Sequence, residues 1–168
     1  LKKGENQFAF QVFRWSDGSY CEDQDFWRLS GVARDSYLYA RDAKQHLKDI
    51  RVTPDLANDY KDGTLSVNLQ LAGSTKAFLI LEDADNNLAA KTVVTADKAG
   101  QAKAFMELRN PKKWSAETPY LYNLYVNVED AKTSKAIETI PLKVGFRKVE
   151  IKNAQVLVNG QPVLFKGA

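Results

Sequence analysis

The sequence carries one cysteine, Cys21, and one histidine, His46, among 168 residues. A single thiol excludes a disulfide scaffold and says nothing of redox compartment. One imidazole excludes a multi-histidine metal cage and a histidine-rich catalytic cluster. No stretch approaches the ~20 consecutive apolar residues that a helix needs to cross a bilayer. Charge of one sign is scarce as well: 24 Lys and Arg stand against 21 Asp and Glu, without a basic block. That balance gives no electrostatic case for nucleic acid or an acidic membrane as partner. There is no initiator Met and no signal-like apolar stretch near Leu1, and the sequence stops at Lys166-Gly167-Ala168. Both ends read as cut.

What is present has the balance of a globular protein, 44% hydrophobic and 27% charged, which excludes disorder and collagen. The dominant period is two rather than 3.6. From Thr64 to Ala72, Leu65, Val67, Leu69 and Leu71 are apolar and Ser66, Asn68 and Gln70 polar. One face of such a strand meets a core and the other meets water. Ala102, Ala104, Met106 and Leu108 repeat the pattern, as do Tyr120, Tyr122, Leu124, Val126 and Val128. The unbroken run Phe78-Leu79-Ile80-Leu81 reads as a strand covered on both faces or at a crowded sandwich centre.

Breakers separate these runs. Asp62-Gly63 and Asn159-Gly160 supply the positive φ that tight hairpins require. Asp83 to Asn87 is a polar loop, and Ala99-Gly100, Asn110-Pro111 and Thr118-Pro119 interrupt elsewhere. Turn signals every ~8–12 residues indicate an antiparallel sandwich or barrel rather than βαβ units. The short stretch Arg41 to Lys48 offers one weak helix, better read as a polar linker. Residues 1–40 hold aromatic-rich strands, Gln7 to Trp15 and Val32 to Ala40, around an acidic loop, too few to close a core. Residues 47–147 carry about seven strands, enough for an immunoglobulin-like sandwich of roughly 100 residues. Residues 148–168 form a trailing hairpin whose partner lies beyond the end. The expected fold is all-β: an immunoglobulin-like antiparallel β-sandwich with flanking partial strands.

Two blocks could carry chemistry. The segment from Asp17 to Asp25 places four acids in nine residues: Asp17, Glu22, Asp23 and Asp25. It fits a solvated turn, a hard-cation site, or a sugar site in which carboxylates accept from hydroxyls while Phe26 and Trp27 stack on a ring face. The acids lack the order of an EF-hand loop. A retaining glycosidase pair needs carboxyl groups ~5–5.5 Å apart, whereas adjacent Glu22 and Asp23 on an extended loop point to opposite sides. In the second block, Asn110 to Tyr122, Trp114 and Tyr122 form either a ligand platform or, as aromatics more often do, a plug at the end of a sandwich. His46 reads as an exposed polar residue and Cys21 as a small packed side chain, neither with the partners of a nucleophile.

Three blocks resemble one family in its order. Arg14-Trp-Ser-Asp-Gly-Ser-Tyr-Cys-Glu-Asp-Gln-Asp-Phe-Trp-Arg-Leu-Ser-Gly31, followed by Arg34-Asp35, resembles the end of the sugar-binding jelly-roll domain of large bacterial β-galactosidases, glycoside hydrolase family 2. Asn110 to Tyr122 resembles the immunoglobulin-like second domain of that family. Val144-Gly-Phe-Arg-Lys-Val-Glu150 and Val158 to Gly167 resemble the passage into its catalytic (β/α)₈ barrel. The first block is specific to β-galactosidases, and the others are shared across the wider family. Departures are small: Ala33 stands where a larger residue is usual, and Cys21 where Leu is common.

The resemblance implies a part of a retaining enzyme that hydrolyses terminal β-D-galactosides. It implies that Asp25 reaches from the first domain to bind galactose and a sodium ion, with Glu22, Asp23 and Trp27 supporting the loop. Magnesium is a second ion of the intact enzyme on the same resemblance. The catalytic glutamates belong to a barrel of ~250 residues, so no catalytic residue is expected here. Expected partners are the galactoside, the jelly-roll and barrel parts of the same polypeptide, and further copies in a homo-oligomer. A self-sufficient carbohydrate-binding or adhesion module is the alternative.

Overall fold

A computed structural model describes residues 2–21 and 31–164 and divides the chain into two compact units, Leu1–Ala40 and Arg41–Ala168. In the first unit, the strands expected over Gln7 to Trp15 and Val32 to Ala40 do not form. A strand needs a neighbour for its backbone groups, and no pairing joins these segments among the described residues. Their aromatics stay largely in water: Phe10, Phe13, Trp15 and Tyr37 are all exposed. One helical turn, α1 (Gly18–Cys21), starts the acidic loop, with Ser19 N and Tyr20 N donating to Ser16 O and Asp17 O. Cys21 is exposed on it rather than packed, because a four-residue helix with no buried residue offers nothing to pack against.

The second unit is built on seven strands: β1 (Leu47–Ala57), β2 (Asp62–Leu71), β3 (Thr75–Glu82), β4 (Leu88–Thr95), β5 (Gln101–Leu108), β6 (Tyr122–Asp130) and β7 (Ala136–Val144). They form two antiparallel sheets, ordered β1-β2-β5 and β4-β3-β6-β7. The fold is an all-β sandwich. Its fourth strand pairs with the third and so joins the larger sheet, unlike the constant-type immunoglobulin order, in which the fourth lies with the first, second and fifth.

Alternation fixes the register. Leu65, Val67 and Leu69 of β2 sit opposite Met106, Ala104 and Ala102 of β5. Across the core, Ala77, Leu79 and Leu81 of β3 sit opposite Val128, Val126 and Leu124 of β6. All twelve are buried. A one-residue slip would turn a whole apolar set into water, so the pairing is strongly specified. The run Phe78 to Leu81 follows the same rule: Leu79 and Leu81 are buried while Phe78 and Ile80 are half-buried, so the strand is fully covered on one face. Prolines fall on edge strands, Pro54 in β1 and Pro141 in β7, where a missing N–H costs no ladder bond.

Gly63 corrects a turn reading. It lies inside β2, and a Cβ there would sit 2.8 Å from both Phe146 Cδ1 and Pro111 Cγ. Its use is close approach. The β1–β2 turn is made instead by Asn58, Asp59 and Tyr60, all at positive φ (50°, 57° and 61°).

Of the expected linker Arg41 to Lys48, Leu47 and Lys48 belong to β1, while Arg41 to His46 forms neither helix nor strand and is tied down by side chains. Arg41 Nη1 donates to Leu47 O at 2.7 Å and Arg41 Nε pairs with Glu138 Oε2 at 3.2 Å. Glu138 Oε1 accepts from Leu47 N at 2.6 Å. Gln45 Nε2 donates to Asp130 Oδ2 at 2.5 Å. His46 is half-buried rather than exposed, with Nδ1 2.8 Å from Asp42 O, because this tied linker covers it.

After the sandwich comes a small sheet of β8 (Val149–Lys152), β9 (Gln155–Val158) and β10 (Gln161–Pro162), ordered β10-β9-β8. The expected hairpin at Asn159-Gly160 is present, with φ 51° and 78°. Its partner is β8, which precedes it in the chain rather than lying beyond the end. The β8–β9 turn uses Asn153 and Ala154, both at positive φ, and Ala in that region carries no sequence signal.

Candidate functional site

Asp25, Glu22, Asp23 and Trp27, the residues singled out for sugar and cation binding, all lie outside the described residues. Among the described residues no group of three or more His, Cys, Asp or Glu is gathered as a metal site. The most constructed region is the sandwich end where the β5–β6 loop, the β1–β2 turn and the small sheet meet.

The loop is anchored from beneath. Phe146 is fully buried, and Tyr122 meets it edge-on at 5.3 Å between ring centroids. The Tyr122 hydroxyl accepts from Lys112 N at 2.9 Å. Burial pushes its phenol above the usual tyrosine value, an effect the Lys112 N–H opposes. Tyr120 packs against Tyr122, accepts from Ala84 N through its hydroxyl at 3.0 Å, and carries the Lys112 ammonium 4.7 Å from its ring centroid. Trp114 N donates to Phe146 O at 3.0 Å. Tyr120, Tyr122 and Phe146 close the end of the core with both tyrosine hydroxyls satisfied, which is plugging rather than a free platform, while Trp114 stays half-buried beside them.

Above the plug, a stack, hydrogen bonds and one close packing contact seat the small sheet. The Arg147 guanidinium stacks on Trp114, 4.5 Å from the ring centroid. Asn159 Nδ2 donates to Trp114 O, and Asn159 Oδ1 accepts from Lys148 N, each at 3.0 Å. The Tyr60 hydroxyl donates to Glu150 Oε1, and the Tyr60 ring fills the space beside Gly160, where a Cβ would come within 2.6 Å of Cε2. The Glu150 carboxylate, accepting that hydrogen bond, raises the Tyr60 phenol pKa above 10.0. Two grooves flank Trp114 and Arg147. One of about 440 Å³ includes Pro54, Leu121 and Gly145 in its walls, and one of about 520 Å³ runs along the small sheet.

Sequence reasoning located Trp114, Tyr122 and the Asn159 turn. It missed Tyr60, whose left-handed conformation has no propensity signal, and the side-chain roles of Arg147 and Glu150. The last two sit in the Val144 to Glu150 block, so that motif was the signal available. The arrangement is a docking joint of stacked and hydrogen-bonded groups.

Residues 45–147 match the model of glycosyl hydrolases family 2, and residues 1–42 match the sugar-binding domain of glycosyl hydrolases family 2. The chain belongs to glycosyl hydrolase family 2. Among its relatives, a β-galactosidase of Alteromonas mediterranea is 42% identical over 99% of this chain, and one of Aeromonas hydrophila is 41% identical over 98%. The chain spans 17% of the length of each. Among solved structures, a β-glucuronidase of Bifidobacterium dentium in complex with coumarin-3-O-glucuronide has a TM-score of 0.66 at 21% identity, covering 74% of this chain and 22% of its own. A β-glucuronidase of Ruminococcus gnavus has 0.59 at 25% identity, over 73% and 20%. These neighbours share the fold.

Proposed function

We propose that this chain is a non-catalytic part of a β-galactosidase that hydrolyses terminal β-D-galactosides of the lactose type. The carrying observation is the identity of 41–42% with β-galactosidases over nearly the whole chain, including the acidic first unit. In this reading residues 1–40 end the sugar-binding jelly-roll domain, residues 47–147 are the sandwich, and residues 148–168 lead into the catalytic barrel. The sandwich braces the sugar-binding domain against the barrel, and its plugged core and seated small sheet suit a rigid spacer. The barrel supplies both glutamates of a retaining mechanism, which sit ~5–5.5 Å apart in such enzymes. The intact enzyme is a homo-oligomer.

Asp25 binds a galactose hydroxyl and a sodium ion, with Glu22, Asp23 and Trp27 holding the loop. A carboxylate suits both tasks, since it accepts hydrogen bonds strongly and is a hard oxygen donor. Sodium, with magnesium elsewhere in the intact enzyme, supplies fixed positive charge. Asp25 contributes by binding and orienting the sugar.

The test uses the full-length enzyme and nitrophenyl glycosides. Wild type is expected to cleave the β-D-galactoside in preference to the β-D-glucuronide, and the reverse order would overturn the substrate assignment. Asp25→Ala is expected to lower kcat/KM by about 10–100-fold, the worth of a charged hydrogen bond, and to lose the sodium response. Unchanged turnover with an unchanged sodium response would remove Asp25 from the site.

A further inference from the structure

The two faces of the small sheet differ, and the structure accounts for one. Leu157 of β9 is buried, and Glu150, its partner across the β8–β9 ladder, takes the hydrogen bond from Tyr60. That face is turned to the sandwich. On the other face the ladder sets Val149 opposite Val158 and Ile151 opposite Val156, four β-branched side chains side by side. Val149 is 57% exposed and Ile151 79%. A solvated sheet face ordinarily alternates to polar residues, and a contiguous exposed apolar patch marks an interaction surface. Between this face and Trp114 runs the groove of about 520 Å³, with Val163 and Pro162 at its edge.

Charge narrows the occupant. Arg147 lies in the groove wall stacked on Trp114, and among the described residues its guanidinium has no carboxylate partner. Glu117 lines the same groove without closing on it. The stacked guanidinium keeps its planar donor edge for a carboxylate. Tethering narrows the occupant further. The described residues end at Leu164, 80% exposed and directly beyond Val163. This chain spans 17% of its relatives' length, so most of such a polypeptide lies outside it. A covalently joined segment reaches this groove at a far higher effective concentration than a free partner.

We propose that the Val149–Ile151–Val156–Val158 face, with Trp114 and Arg147, seats another segment of the same polypeptide that brings apolar side chains and a carboxylate to Arg147. The proposal rests on the reading of this chain as part of a longer enzyme and adds the surface and chemistry of the contact.

The experiment uses the full-length enzyme with a photo-crosslinking residue in place of Ile151, in mixed light and heavy isotope populations. Carbene footprinting of the native enzyme, referenced to the urea-unfolded enzyme, runs beside it. A crosslink within one polypeptide, together with loss of labelling at Val149 and Val156, is the expected result. A crosslink between light and heavy polypeptides would show a second copy on this face and overturn the proposal. Full labelling without a crosslink would overturn it too. Arg147→Glu is expected to lower the thermal midpoint and restore labelling, and Arg147→Lys to keep the midpoint near wild type; equal effects would remove the carboxylate from the proposal. Galactoside cleavage is measured in parallel. Cleavage with an uncovered face would sink this inference alone, and a covered face without cleavage would sink the activity reading alone.

Discussion

The seven-strand sandwich and the small sheet after it are made of similar residues and reach different ends. In the sandwich, each strand gives one apolar face to a shared interior, so residues such as Leu79, Leu124 and Val126 lose all contact with water. In the small sheet, the strands are four, four and two residues long. Leu157 is buried beneath the sheet while Ile151 on the opposite face is open. Three short strands bury too little to be stable alone. Their order comes from outside, through Tyr60, Asn159 and the Arg147–Trp114 stack. Folding of the small sheet is therefore borrowed from the sandwich, and not the reverse.

The sharpest way to break that contrast is truncation in each sheet. Leu79→Ala is expected to destabilise the protein by about 2–5 kcal/mol, as buried Leu truncations do, read as a lowered urea midpoint. Ile151→Ala in this chain is expected to stay within about 0.5 kcal/mol of wild type. Equal losses would mean that the two sheets share one core. Next in size is Gly63→Ala, whose methyl would press on Phe146 and Pro111. Overpacking of that kind costs about 1–3 kcal/mol, and a neutral result by the same measurement would show that the plug yields.

Smaller effects test the borrowed order itself. Tyr60→Phe keeps the ring beside Gly160 and removes the donor to Glu150. Amide exchange in β8 and β9 is expected to quicken while β2 is unchanged, and parallel quickening in β2 would assign Tyr60 to the sandwich. The smallest expected effect is electrostatic. Hydrogen bonds from Gln45 and then Thr133 hold the Asp130 carboxyl well below its ordinary 3.8. The folded state thus favours the ionised form. Its contribution is present above that ordinary value and is lost as pH falls below it toward the depressed one. The thermal midpoint of wild type should accordingly drop more steeply below pH ~3.8 than that of Asp130→Asn. Matching slopes would remove the Gln45 tie as a source of stability.

Much of the sandwich was legible because period two needs only the identity of alternate residues. Leu65 to Leu71, Ala102 to Leu108 and Tyr122 to Val128 fall on the strands their spacing implies, while Tyr120, which the same spacing includes, stands in the loop before β6. What failed depended on neighbours distant in sequence. Asp62-Gly63 looks like a hairpin turn from its two residues, and only Phe146, far along the chain, shows why the glycine is there. The run Phe78 to Leu81 is apolar throughout, yet its outer members are only half-buried, since composition does not reveal whether anything packs outside a sheet. Residues 7–15 and 32–40 have strand-like content without a pairing neighbour among the described residues. The Asp25 loop was legible only as a motif, and its geometry lies outside the described residues.

Pro54 and Pro141 have a consequence beyond their own strands. Each sits on an outermost ribbon of its sheet, and a ring nitrogen cannot donate to an incoming backbone. A newly made polypeptide that carries several β-rich modules risks zipping one module's rim onto the next before either has matured. Each of these two rims lacks a donor in mid-strand, so a foreign strand laid against it would find its ladder interrupted there.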